Sequence, residues 1–242
     1  MSRATLGVKR PCEGGITAPA IDTGCTPLQE QLAGASGRPT VLDAFRRARR
    51  TFRDGRRVDM GVLARELDVN RATLYRWVGS REQLLVEVLW WLGRRTFERL
   101  LADPATVRPG CSRSASVLDA WLHAVIGDAG MQAFVEHEGE LALRVLTTRA
   151  TDFQPRLLGF VDALLAEDLD GGTMWTPVPR ADLAYVVVRI LESYVYLGLI
   201  TGERPDADRA GRVLHSLLQR QAPSASTPAV ASSTTFPTSA AT

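Results

Sequence analysis

The stretch from Asp59 to Leu85, DMGVLARELDVNRATLYRWVGSREQLL, constrains the fold more than any other part of this chain. Its apolar residues recur at helical intervals in short runs, and each run is bracketed by residues that start or stop a helix. Asp59 is placed to cap a helix whose Leu63, Ala64 and Leu67 point inward. Asp68 stands where a tight turn wants a left-handed residue, a conformation Asp tolerates better than most. Asn70 is placed to cap a helix from about Arg71 to Val78, and Gly79 to end it. Ser80 and Gln83 have capping-box spacing and open a long helix through Leu101. Two short helices joined by a tight turn on a supporting helix make a helix-turn-helix. The support is predicted upstream. Thr40 can cap a helix in which Val41, Leu42, Phe45, Ala48 and Phe52 share one side, and Asp54-Gly55 stops it.

With Leu74 turned inward, Arg71, Thr73, Tyr75 and Arg76 project outward from the second short helix. The DNA major groove admits one helix and offers donors and acceptors on its base edges. Arg71 and Arg76 suit guanine or phosphate, and the Tyr75 hydroxyl can donate to phosphate. Arg81, at the next helix start, lies where free amides and the helix dipole favour a phosphate. Trp77 either touches the phosphate edge or packs on the long helix. The expected DNA-binding set is therefore Asn70, Arg71, Ala72, Thr73, Tyr75, Arg76, Trp77 and Arg81. Charge points the same way. The whole chain is only +2, but residues 40–81 hold eleven Arg against five acids, whereas residues 82–242 are net acidic. A basic module joined to an acidic one suits a phosphate backbone, the other reading being a solvated arginine-rich face.

These residues carry a resemblance. VLDAF at 41–45, the Leu63-Ala64 pair, Thr73-Leu74-Tyr75 and Gly79-Ser80-Arg81-Glu82 are similar to the DNA-binding domain of TetR-family transcriptional regulators. The Tyr-Arg-Trp helix and the Trp90-Trp91 pair further resemble the subgroup that regulates quorum-signal (γ-lactone) degradation. The chain departs from the family pattern at three places. Asp59 stands where Thr is usual, Asp68 where Gly is common, and Trp77-Val78 where His or Tyr precedes Phe. An acid at Asp59 would repel DNA if it pointed outward, so a capping role is expected for it. The resemblance implies an all-α fold, with an N-terminal three-helix DNA-binding domain and a larger helical domain for ligand binding and dimerisation. It also implies a homodimer through the last two long helices.

The rest of the sequence fits four segments: a disordered arm at 1–39, the helix-turn-helix domain at 40–82, the effector domain at 83–221 and a disordered tail at 222–242. Within the effector domain, Leu118–Ile126, Met131–Thr147 (one helix, or two broken at Gly139) and Leu157–Leu169 read as helices. Ala181–Ile200 is apolar nearly all round and must be covered on nearly all sides. Asp208–Arg220 carries Ala210, Val213, Leu214, Leu217 and Leu218 on one stripe. Two such helices from each of two copies would make a four-helix bundle, the alternative being a monomeric core. A mostly apolar ligand pocket is expected, with Trp121, Phe134, His137, Phe153, Phe160, Trp175 and Tyr194 as candidates to line it. His137-Glu138 could orient a carbonyl or hydroxyl, or be solvated. Arg144 and Arg149 could meet an anion, or pair with surface acids.

Other classes have little to stand on. No run of 18 apolar residues suggests a membrane span, and no apolar run follows Lys9 and Arg10 as a secretory signal would require, so a cytoplasmic protein is expected. Cys12, Cys25 and Cys111 lie far apart without CxxC spacing, so neither metal nor cofactor is expected. An enzyme would have to use His137 and Glu138, with no nucleophile beside them and no GxSxG, GxGxxG or P-loop in the chain. A helical dimeric interaction module without DNA is the remaining alternative, favoured only by Asp59.

Overall fold

A computed structural model of the chain describes residues 38–219. The expected arm and tail, with Cys12 and Cys25, lie essentially outside those residues. The described residues from Pro39 onward belong to one packed unit and contain α-helices, one short 3-10 turn (Pro104–Thr106) and no strand. The first three helices are α1 (Val41–Arg53), α2 (Met60–Glu66) and α3 (Arg71–Val78). Next come the long α4 (Arg81–Ala102), then α5 (Arg113–Ile126), α6 (Ala129–His137), α7 (Gly139–Thr147) and α8 (Phe153–Asp170). The chain closes with α9 (Arg180–Val195), the short α10 (Leu197–Thr201) and α11 (Ala207–Leu217). The expected division at residue 82 falls in the first turn of α4, so one helix runs from one domain into the other.

The helix ends are where local chemistry puts them. Thr40 and Ser80 each form a complete capping box, with Asp43 and Gln83 reaching back to the cap amide. The Asp59 carboxylate accepts from the Gly61 and Val62 amides, both at 2.8 Å. Asp68 is the one described non-glycine residue with positive φ, at 51°, as its turn position demands. Gly79 has φ 69°, and a side chain there would overlap the Gln83 amide that caps α4. Met131–Thr147 is two helices, parted at Glu138, in the broken form of the expectation.

Three helical faces differ from expectation. On α1 the buried residues are Ala44, Ala48 and Phe52, while Val41 and Leu42 are 44% and 59% exposed. Both sit in the first turn, ahead of the point where α1 meets its neighbours. The span 181–200 is not one covered helix. It breaks at Tyr196, and Tyr185, Val186, Leu199 and Ile200 stay exposed. The α11 stripe also splits. Ala210, Leu214 and Leu218 are fully buried in the core, where α11 packs against α5, whereas Val213 and Leu217 face outward.

Candidate nucleic-acid interface and effector cavity

The α3 surface follows from one buried residue. Leu74 is fully buried, and burying a leucine contributes about 1.5–3 kcal/mol, enough to fix the rotation of a two-turn helix. At 100° per residue that leaves Arg71, Ala72, Tyr75 and Arg76 exposed and Thr73 half-buried. The Arg76 guanidinium rests on the Thr73 hydroxyl at 3.2 Å. Among the described residues no carboxylate lies within ion-pair distance of Arg71 or Arg76, so both keep their charge for another surface. Asn70 uses its side-chain oxygen as the α3 cap, accepting from the Ala72 amide at 2.8 Å. Trp77 is half-buried and packs against the core.

Arg81 departs from expectation. Its Nε donates to the Val58 carbonyl at 2.6 Å, and Nη2 meets Glu138 at 2.6 Å, with the side chain only 18% exposed. The guanidinium faces into the protein because a half-buried carboxylate at the start of α7 lies within its reach. Glu138 also faces Arg57 at 3.6 Å. Arg81 is thus a strut joining the helix-turn-helix to α7, and Glu138 is not available to orient a ligand. His137 is exposed, with Nδ1 on the Ala133 carbonyl at 2.9 Å. Asp59, as a cap beside the charges of Arg71 and Arg57, has its carboxyl held low. The Val62 amide is the largest cause, and desolvation opposes it.

Of the eleven arginines at 40–81, several are held by the protein. Arg47 meets Glu66 at 3.1 Å, and Arg49 lies 4.0 Å above the Trp91 ring. Arg50, Arg53 and Arg65 are exposed with no carboxylate in reach among the described residues. Sequence counting could not separate these classes, because the partners come from other helices.

A cavity of about 510 Å³ lies alongside α4. This is within the range of small-molecule sites, about 300–1,000 Å³. Trp121 and Phe153 line it, as expected. The other five candidates do not. Phe134 packs edge-on to Phe52 and, with His137, lines a smaller cavity of about 220 Å³. Phe160 stacks against Phe97 from behind the wall, at 4.0 Å between centroids. Tyr194 packs on the core, and Trp175 is 51% exposed on the loop before α9. Sequence reasoning missed Trp90, Phe97, Glu192 and Tyr196 in the wall. The α4 residues among them were legible only as a generic apolar face. Arg144 pairs with Glu82 across the α4–α7 contact, taking the surface-acid option.

Two features tie the cavity to the helix-turn-helix. Phe52 and Arg53 at the end of α1 form part of its wall, as does the middle of α4. Gly130 on α6 lies so close to α1 that a Cβ there would overlap the Phe52 carbonyl oxygen. Among the described residues no three His, Cys, Asp or Glu side chains are grouped to hold a metal, and no helix is long and apolar enough to cross a membrane.

Residues 109–219 match the family model described as tetracyclin repressor-like, C-terminal domain. Among solved structures, the chain is similar to the R. erythropolis transcriptional repressor QsdR from the TetR family. The identity is 24%, covering 74% of this chain and 93% of that one, with a TM-score of 0.63. It is also similar to the multidrug binding protein EbrR complexed with imidazole (25% identity, 76% and 97% coverage, TM-score 0.48). A third is a TetR transcription regulator from Haloarcula marismortui ATCC 43049 (12%, 74% and 95%, TM-score 0.48). No curated protein matches the sequence. Residues 109–219 are thus tetracyclin repressor-like C-terminal domain, within an all-helical fold that carries a helix-turn-helix ahead of it and is shared with the solved QsdR structure.

Proposed function

We propose that the protein is a ligand-responsive repressor that binds a pseudo-palindromic operator as a homodimer and is released by a small, mostly apolar molecule. Residues 40–82 act as the reading head and residues 83–221 bind effector and dimerise. The observation that carries this reading is α4. Its N-terminal residue is clamped to Val58, next to the helix-turn-helix, while Trp90, Gly93 and Phe97 of the same helix line the cavity. A rigid helix with an end in each region converts a change in the cavity into a displacement of α3.

Dimerisation is supported by apolar side chains left uncovered on neighbouring helices: Tyr185 and Val186 on α9, Val213 and Leu217 on α11. Two copies joined there would present two α3 helices, which must reach grooves about one turn, or about 34 Å, apart. The resemblance to the quorum-signal subgroup belongs to the same proposal. Of its two tryptophans, Trp90 borders the cavity and Trp91 lies under Arg49.

The test is DNA binding to the intergenic segments beside the gene, by fluorescence anisotropy over a salt series. The log–log slope should be about −0.9 per neutralised phosphate. Arg76→Ala should lose about 1–3 kcal/mol of discrimination between operator and a base-substituted copy. A flat salt curve with no preferred sequence would remove the proposal. Equal weakening on every sequence would reassign Arg76 to phosphate.

A further inference from the structure

The cavity is electrically lopsided. Three of its polar wall residues are exposed arginines, Arg53 from α1 and Arg95 and Arg99 from α4, so their charges border both the cavity and solvent. Arg95 shares Glu98 with Arg94 at 3.4 Å, but neither Arg53 nor Arg99 has a carboxylate in ion-pair reach among the described residues. Asp128 is the one lining acid besides Glu192, and its Oδ1 caps α6 by accepting from the Met131 amide.

The interior differs. Phe97 stacks flat on Trp121, with centroids 4.6 Å apart and planes 5° off parallel, and Trp90 meets Phe153 edge-on. Deep in the wall sit Glu192 and Tyr196, four residues apart and so on one side of α9. Glu192 is already answered by Gln154 and Arg189, although burial still pushes its carboxyl up. Tyr196 is 3% exposed, and its hydroxyl has no hydrogen-bond partner among the described residues. Burial, then the nearby Glu192 charge, pushes its pKa far above the ordinary value, so it stays a neutral O–H donor. A hydroxyl on the cavity wall with no protein partner is free to donate to a ligand acceptor.

Taking the cavity as the effector site proposed above, we propose that its ligand is an amphipathic aromatic anion. Its acidic group lies outward between Arg53 and Arg99, its flat body lies in the aromatic sleeve, and a neutral oxygen acceptor at its inner end meets Tyr196. A cation is disfavoured at the mouth, and an acid is disfavoured at the floor by Glu192. The anion would touch α1 and α4 together, the two helices through which the cavity reaches the reading head.

The test uses three probes on the full chain. They are 8-anilinonaphthalene-1-sulfonate, its uncharged parent N-phenyl-1-naphthylamine, and anthraquinone-2-sulfonate, which adds ring carbonyls and is read by dye displacement. Arg53→Gln/Arg99→Gln should weaken both sulfonates about tenfold or more at low salt and leave the neutral dye within twofold, since each exposed charge at contact distance is worth about fivefold. Tyr196→Phe should weaken anthraquinone-2-sulfonate about fivefold, the effect of one neutral hydrogen bond, and spare the anilino dye. Gly93→Leu places a side chain in the cavity, with its Cβ in ordinary contact with Trp121 at 3.8 Å, and should abolish binding of all three. Thr96→Trp is a second filler, should the first not fold. If Gly93→Leu or Thr96→Trp blocks the dyes but the arginine pair affects charged and neutral dyes alike, the anion assignment is overturned and the cavity reading survives. If the fillers leave dye binding intact, or no probe binds, both readings fall.

Discussion

Arg81 offers the sharpest test of the physical reasoning, because two roles for one side chain predict opposite results. As a strut, Arg81 joins Val58 to Glu138 through two 2.6 Å contacts, with both charged side chains mostly out of water, 18% and 14% exposed. Exposed ion pairs contribute about 0–1 kcal/mol, whereas stranding a fully buried charge costs about 3–5 kcal/mol. This pair lies between those limits, so Glu138→Gln should destabilise by roughly 2 kcal/mol. At about 2–4 °C per kcal/mol for a unit of this size, the Tm should fall by about 4–8 °C. Arg81→Met should lose a similar amount, and the double variant should be no worse than Arg81→Met alone, because the two residues are coupled through their ion pair. The salt slope of DNA binding should then be the same in Arg81→Met and the parent. A phosphate contact predicts the reverse, a slope reduced by about 0.9 with Tm unmoved. That result, or strictly additive losses in the double variant, would refute the strut.

Two further outcomes follow from packing and protonation. Gly130→Ala should destabilise by about 1–3 kcal/mol, because its Cβ would meet unyielding backbone at Phe52, whereas Gly159→Ala on α8, with nothing within 4 Å, should be neutral or stabilising by up to about 1 kcal/mol in thermal denaturation. His123 on α5 reaches Asp208 on α11 at 3.1 Å. Desolvation pulls its pKa down, but the Asp119 carbonyl and the Asp208 carboxylate outweigh it and leave the pKa raised. Stability from protonated His123 is therefore full below the ordinary value of 6.5 and lost as pH rises through the raised folded value. The Tm gap between parent and His123→Gln should narrow across that window; a gap that widens with pH would contradict the assignment.

The DNA-facing half was more legible than the effector half. Caps, the left-handed Asp68 and the Gly79 stop are local chemistry, written within a few residues of where they act. Leu74 orients α3 by itself, so Arg71, Tyr75 and Arg76 could be placed outside from spacing alone. Arg81 could not, because its partners lie 23 and 57 residues away. The cavity list failed for a similar reason. Trp121 and Phe160 both belong to apolar faces, yet only Trp121 borders open space, while Phe160 supports Phe97 from behind. Periodicity says that a side chain is inward; it does not say whether a neighbour fills the space beyond.

By itself, the amino-acid sequence determined an all-helical chain, the helix-turn-helix with its outward side chains, and a basic module ahead of an acidic one. Helix propensity, capping and the rotation set by a buried leucine all act over one or two turns. Tertiary structure alone decided which arginines are held by the protein, where α9 ends, and which aromatics enclose a void. Those outcomes depend on helices meeting from distant parts of the chain, where a partner's position, rather than the residue's own type, decides whether a charge is neutralised or a face is covered.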